Sequence, residues 1–149
     1  VSTIAVTTTE VAWDSQVTIG DGERASVGEE KVQVHKSGIW GLVGDGPPMG
    51  VMLRWIEEGA DRKHKPDGTW SLFRINKRGR MSVWTSGSPY EQPVAFPATF
   101  GSGGHFALGV LKYGGTAKEA VRIAAECDVY TGPPIKALVI AKALERVKA

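Results

Sequence analysis

Ser2 stands one position from the amino terminus and leads directly into an apolar, β-branched run, Thr3-Ile4-Ala5-Val6. A hydroxyl in that place suits one kind of chemistry: the side chain attacks a carbonyl carbon while the residue's own α-amine accepts the proton. Free chain ends ordinarily fray, so a strand that begins there reads as a terminus held in place for use. The same residues also fit an ordinary edge strand. For Ser2 to carry a free amine, Val1 must be gone. If position 1 is the initiating residue, read as methionine from a valine-type codon, small Ser2 favours its removal, and on that expectation no propeptide is needed.

Cys127 is the single cysteine, which excludes an internal disulfide and fits a reducing, cytoplasmic compartment. Two basic runs, Arg62-Lys63-His64-Lys65 and Lys77-Arg78-Gly79-Arg80, could suggest nucleic acid. The first run has no interleaved aromatic platform, and a net charge of +2 is too slight for a polyanionic partner. The apolar runs fall far short of the roughly 20 residues that span a bilayer, so no membrane partner is expected. With 42% hydrophobic and 23% charged residues in 149, the composition is that of one globular domain over residues 1–149. No cofactor or metal is expected.

Elements must position these groups. Short strands are predicted over Thr3–Thr9, Val11–Trp13 and Val17–Ile19, then over Lys31–His35 and Ile39–Val43, where period-two alternation is clear. Pro48–Glu58 carries Val51, Met52, Trp55 and Ile56 at helical spacing, with Asp45 as a candidate cap and Gly59 as a stop. Thr69–Ile75 and Arg80–Trp84 form a hairpin about Asn76–Gly79, while Tyr90–Phe100, broken by Pro93 and Pro97, reads as irregular and extended. Helices are predicted from His105 and from the capping box Thr116–Glu119, whose helix presents the small face Ala117, Ala120, Val121, Ala124 and Ala125. In the tail, Ile135–Ile140 suits a strand and Ala141–Lys148 a helix. The order implies an α+β layout, with helices able to cover both faces of paired antiparallel sheets.

Several segments, in order along nearly the whole chain, resemble the β-type subunits of proteasomes and their simpler bacterial relative that works beneath an ATP-driven unfoldase. They are Ser2-Thr3-Ile4, Ala12-Trp13-Asp14-Ser15, Lys31-Val32, Gly41-Leu42-Val43-Gly44, Gly101 to Ala107 and Asp128 to Gly132. The resemblance implies an N-terminal nucleophile hydrolase with a four-layer αββα sandwich of antiparallel sheets. Only about ten residues join the first helix to the Thr69 strand, so one outer helix of that family is expected to be missing.

The resemblance assigns roles as well. Ser2 takes the place of the nucleophile, usually threonine, and lacks the methyl group that would restrict its rotamer. Lys31 would lower the pKa of the Ser2 amine and Asp14 would hold Lys31 by an ion pair. Ser102 and Asp128 would orient the amine, Thr131 would support Asp128, and the Gly44 N–H would stabilise an oxyanion. Leu42 would floor the first substrate pocket, with Ala25 or Val27 on its wall. Taken one by one, Asp14 could instead close a turn, Lys31 could lie on a solvated strand face, and Ser102 could cap a helix. The implied partners are a peptide or unfolded-protein substrate, further copies of the chain in a ring, and an ATPase unfoldase. The competing expectation is a catalytically silent subunit of the same fold, acting as a ring or scaffold component.

Overall fold

The computed structural model describes residues 2–19, 23–25 and 30–148. The chain opens with β1 (Ile4–Val6) and β2 (Glu10–Trp13). Period-two alternation divides both strands cleanly. Ile4, Val6, Val11 and Trp13 point into the main core, while Ala5 and Ala12 point the other way. β1 is shorter than predicted because Thr7 starts a turn, its hydroxyl accepting from the N–H groups of Thr9 and Glu10.

A two-stranded ribbon follows, β3 (Val17–Ile19) with β4 (Glu23–Ala25), and then the larger sheet begins. It is built from β5 (Val32–His35), β6 (Gly38–Asp45), β7 (Thr69–Ile75), β8 (Met81–Thr85) and β9 (Ser88–Val94), in that order and all antiparallel. β10 (Ala98–Phe100) returns to the first sheet, whose order is β10-β1-β2-β11, with β11 at Lys136–Val139. The predicted irregular stretch Tyr90–Phe100 is therefore corrected to parts of two strands. Pro93 is tolerated because β9 is an edge strand, where a missing N–H costs no ladder bond to a second neighbour, and Pro97 lies in the bend between β9 and β10.

The two sheets enclose the main core. Ile4, Val6, Val11 and Trp13 face Val32, Ile39, Val43, Phe73, Ile75 and Met81, and the Phe73 and Phe100 rings stack at 4.8 Å. The tail is both of its predicted alternatives in turn: β11, then α4 (Ile140–Lys148), whose Ile140, Ala143 and Leu144 join this core.

Helices form the outer layers. α2 (Gly104–Tyr113) and α3 (Ala117–Cys127) cover the first sheet through Ala107, Leu111, Ala117, Ala120, Val121 and Ala124. Alanines on both sides of this interface let helix and sheet backbones approach closely, so enlarging Ala5 or Ala12 would overpack it at a cost of about 1–3 kcal/mol. The predicted capping box at Thr116 and Glu119 is present. On the far face of the second sheet, α1 (Met49–Glu57) buries Met49, Met52 and Trp55 against Trp40, Trp70, Leu72 and Trp84. Pro48 holds the cap position before α1 and supplies no side-chain cap, and Asp45, the expected cap, is instead the last residue of β6. Gly59 follows the helix at φ 98°, as a stop should.

These are the four layers of an αββα sandwich. Between α1 and β7 only one 3-10 turn, Arg62–His64, is present, so the outer layer is one helix short, as expected. Beside α1, the Trp40 and Trp84 rings stack at 5.6 Å, and the Arg74 guanidinium lies over both. No helix among the described residues is long and apolar enough to cross a membrane.

Candidate active site

Asp14 lies at the end of β2, fully buried, and collects four donors. Its Oδ1 accepts from the Thr3 N–H at 3.0 Å and from Lys31 Nζ at 2.7 Å. Its Oδ2 accepts from the N–H groups of Gln16 at 3.2 Å and Gly132 at 3.0 Å. One carboxylate thus ties together the opening strand, the lysine strand and the loop after α3. A turn-closing residue would need only the Gln16 bond.

Lys31 immediately precedes β5. Its side chain is 11% exposed and also donates to the Gln16 carbonyl at 2.6 Å. Burial pushes its pKa below the ordinary value of 10.5, and the Asp14 charge opposes that shift. It is no solvated strand-face lysine. Its neighbour Glu30 has a lowered pKa, chiefly through its hydrogen bond to Lys136, and accepts from Trp13 Nε1 at 2.8 Å.

A second arm reaches Ser2 from the helical layer. Ser102 sits in the turn before α2, but Gly103 occupies the cap position and no side chain caps that helix. The Ser102 hydroxyl instead donates to Asp128 Oδ2 at 2.6 Å, with the Ser2 carbonyl 3.4 Å away. Thr131 donates to the same Oδ2 at 2.6 Å. The Gly103 N–H reaches the Ser2 carbonyl at 3.3 Å, holding the chain's opening against this turn.

Five of the predicted residues thus join in two hydrogen-bonded groups, Asp14 with Lys31 and Ser102 with Asp128 and Thr131. Both groups contact the Ser2–Thr3 segment. Ser2 itself is only 4% exposed. Leu42 is half-buried on β6 and packs toward the tryptophan cluster, while its N–H donates to the Lys31 carbonyl at 2.9 Å. Gly44 follows two residues on, exposed, at φ 109°, and a Cβ there would lie 2.2 Å from the Thr69 carbonyl oxygen, so only glycine fits. Ala25 ends β4, opposite Val17; Val27 lies outside the described residues.

Thr3, Gln16 and Gly103 were not anticipated as site residues. Thr3 is fully buried, its hydroxyl 2.7 Å from that of Thr131, which excludes it as an exposed nucleophile beside Ser2. Its signal in the sequence was alternation. Thr3 shares the Ala5 face of the opening strand, the face that meets the helical layer. Gln16 links the same parts through its side-chain N–H donation to the Val129 carbonyl at 2.9 Å.

No protein-family model matches the chain, and no curated protein matches it. Solved structures do. BPH of Thiobacillus denitrificans aligns with a TM-score of 0.62 at 17% identity, over 93% of this chain and 96% of that one. Its complex with epoxomicin gives 0.63 at 18% identity, over 93% and 96%. Eukaryotic HslV from Trypanosoma brucei gives 0.62 at 19%, over 92% and 98%. The fold is proteasome-like. Almost the whole length of each chain is aligned, so the proteasome-like fold is present here despite the short outer layer.

Proposed function

We propose that the chain is a peptidase of the N-terminal nucleophile type, with Ser2 as nucleophile and the Ser2 α-amine as general base. The observation that carries it is convergence. Residues from four separated segments, Asp14, Lys31, Ser102 with Gly103, and Asp128 with Thr131, contact Ser2–Thr3 directly or through one another. The proteasome-like fold and the epoxomicin complex of the Thiobacillus denitrificans protein support the same reading.

Proton flow follows from the groups present. The amine takes the Ser2 hydroxyl proton as Oγ attacks the peptide carbonyl carbon, and the oxyanion forms against the Gly44 N–H. The amine then returns the proton to the leaving nitrogen as the C–N bond breaks, giving an ester on Ser2. Water attacks that ester, the amine takes its proton, and Oγ leaves with a proton restored. An α-amine has an ordinary pKa of about 7.7–8.0, close to a good base at neutral pH, and the Lys31 charge would lower it further. Val1 must be absent from the active chain.

By the same resemblance Leu42 would floor the first substrate pocket, so the favoured residue before the scissile bond is apolar or aromatic, by roughly 1–3 kcal/mol. The working form is a homo-oligomeric ring that encloses the sites and receives unfolded protein from an ATPase. Fluorogenic peptides test the proposal. A chain beginning at Ser2 should cleave peptides ending in tyrosine or leucine faster than those ending in arginine or glutamate. Ser2→Thr should keep or raise the rate. An assembled chain beginning at Ser2 that cleaves none of them would leave the silent ring component as the better account.

A further inference from the structure

Thr3 has no place in that chemistry, yet its hydroxyl is among the most enclosed polar groups in the molecule. The residue is 0% exposed, and Thr3 Oγ1 lies 2.7 Å from Thr131 Oγ1. An ionised carboxylate only accepts, and each hydroxyl has one proton to give. Thr131 gives its proton to Asp128 Oδ2 at 2.6 Å, so Thr3 must be the donor to Thr131. Ser102 gives its proton to the same Oδ2 at 2.6 Å. The result is a one-way relay, Thr3 to Thr131 to Asp128, with Ser102 feeding Asp128 from the side of Ser2.

The glycine turn is shaped around this relay. A Cβ on Gly103 would stand 2.0 Å from Thr3 Oγ1 and 2.9 Å from Thr131 Oγ1. The space a side chain would fill is already taken by the two hydroxyls. Ser102, next along the turn, has two acceptors within reach for one proton, Asp128 at 2.6 Å and the Ser2 carbonyl at 3.4 Å. While Asp128 is held, the proton goes to the nearer one, and the Ser102 lone pairs remain for a donor at Ser2.

We infer that Thr3 is a positioning residue: its hydroxyl fixes the donor direction of Thr131, which holds the Asp128 carboxylate where it engages Ser102 beside Ser2. This rests on the proposal that the Ser2 amine is the base, since that amine is the donor Ser102 would accept from. Thr3 therefore acts on the chemical step and leaves substrate binding unchanged. Each link polarises the next, so loss of the first is felt at the last.

The test uses the assembled chain beginning at Ser2. Thr3→Val keeps the shape and removes the hydroxyl; Thr3→Ser keeps the hydroxyl. Thr3→Val should lower kcat about tenfold, the scale of one lost hydrogen bond, with KM within about twofold. Thr3→Ser should recover most of kcat. Adding Thr3→Val to Ser102→Ala should cost little beyond Ser102→Ala alone, because the relay then has nothing to position. If Thr3→Val does not fold, Thr131→Val removes the Thr3 link together with the bond to Asp128 and should show a loss at least as large, confined to kcat; an unchanged kcat in that variant overturns the inference equally. The inference is overturned if kcat is unchanged, if Thr3→Ser fails to rescue, or if the two losses multiply. A wild-type chain that cleaves nothing overturns the peptidase proposal itself, and so is told apart from an active wild type with an unaffected Thr3→Val variant.

Discussion

The two arms that reach the Ser2–Thr3 segment are built on opposite physical principles. Asp14 and Lys31 form an ion pair in the interior, 0% and 11% exposed, and Asp14 accepts from four protein donors. Ser102, Asp128 and Thr131 form a chain of hydroxyls on a carboxylate, beginning at the exposed Ser102 and ending in the buried Thr131. A buried ion pair cannot lose one partner cheaply, because the other charge is left without water. A hydroxyl at the surface can be replaced by water. The first arm should therefore join stability to activity, and the second should allow activity to change while the fold stays intact.

Lys31→Ala should break the comparison open most widely. It strands the Asp14 charge, so the loss of stability should be about 3–5 kcal/mol, read from denaturant midpoints. Peptide hydrolysis should fall at least about a hundredfold, the scale of a displaced general base. Activity lost with no change in midpoint would show that the pair is not structurally coupled.

Ser102→Ala sharpens the other side. The expected stability loss is about 1 kcal/mol or less, while hydrolysis should fall by about tenfold or more. Equal behaviour of the two variants, in stability and rate alike, would erase the distinction between the arms.

The smallest effect is in the pH dependence of stability. Lys31 has a lowered pKa in the folded chain and an ordinary value of 10.5 when unfolded. Between those two values the unfolded chain binds the extra proton, so stability rises with pH across that window. Wild type compared with Lys31→Met should show this rise in wild type alone. A fall in the same window would mean that Asp14 holds the lysine charged more strongly than burial opposes it.

Much of this was legible in the sequence, for reasons specific to each residue. Asp14, Lys31, Ser102, Asp128 and Thr131 stand in short segments whose order resembles a known family, and the αββα layers followed from the same order. Thr3 was read as part of an apolar strand, since a lone sequence does not show which face of β1 meets a helix layer. Gly103 stands within the resembling segment Gly101 to Ala107 with no role of its own there, and the structure shows it leaving room for two hydroxyls. Pro97 does break the strand, whereas Pro93 reads as a breaker because the edge position of β9 is decided by sheet order, which local sequence does not state. Asp45 read as a helix cap because β6 runs longer than its alternation suggests.

The central claim is that the Ser2 hydroxyl forms a bond to the substrate's acyl carbon. Intact-mass and peptide-mapping mass spectrometry after treatment with a peptidyl β-lactone tests it most directly. A chain whose first residue is Ser2 should gain one acyl group, mapped to Ser2, with Ser2→Thr labelled likewise and Ser2→Ala unlabelled. An assembled chain beginning at Ser2 that stays unmodified, or a Ser2→Ala variant that is labelled as fast as wild type, would contradict it.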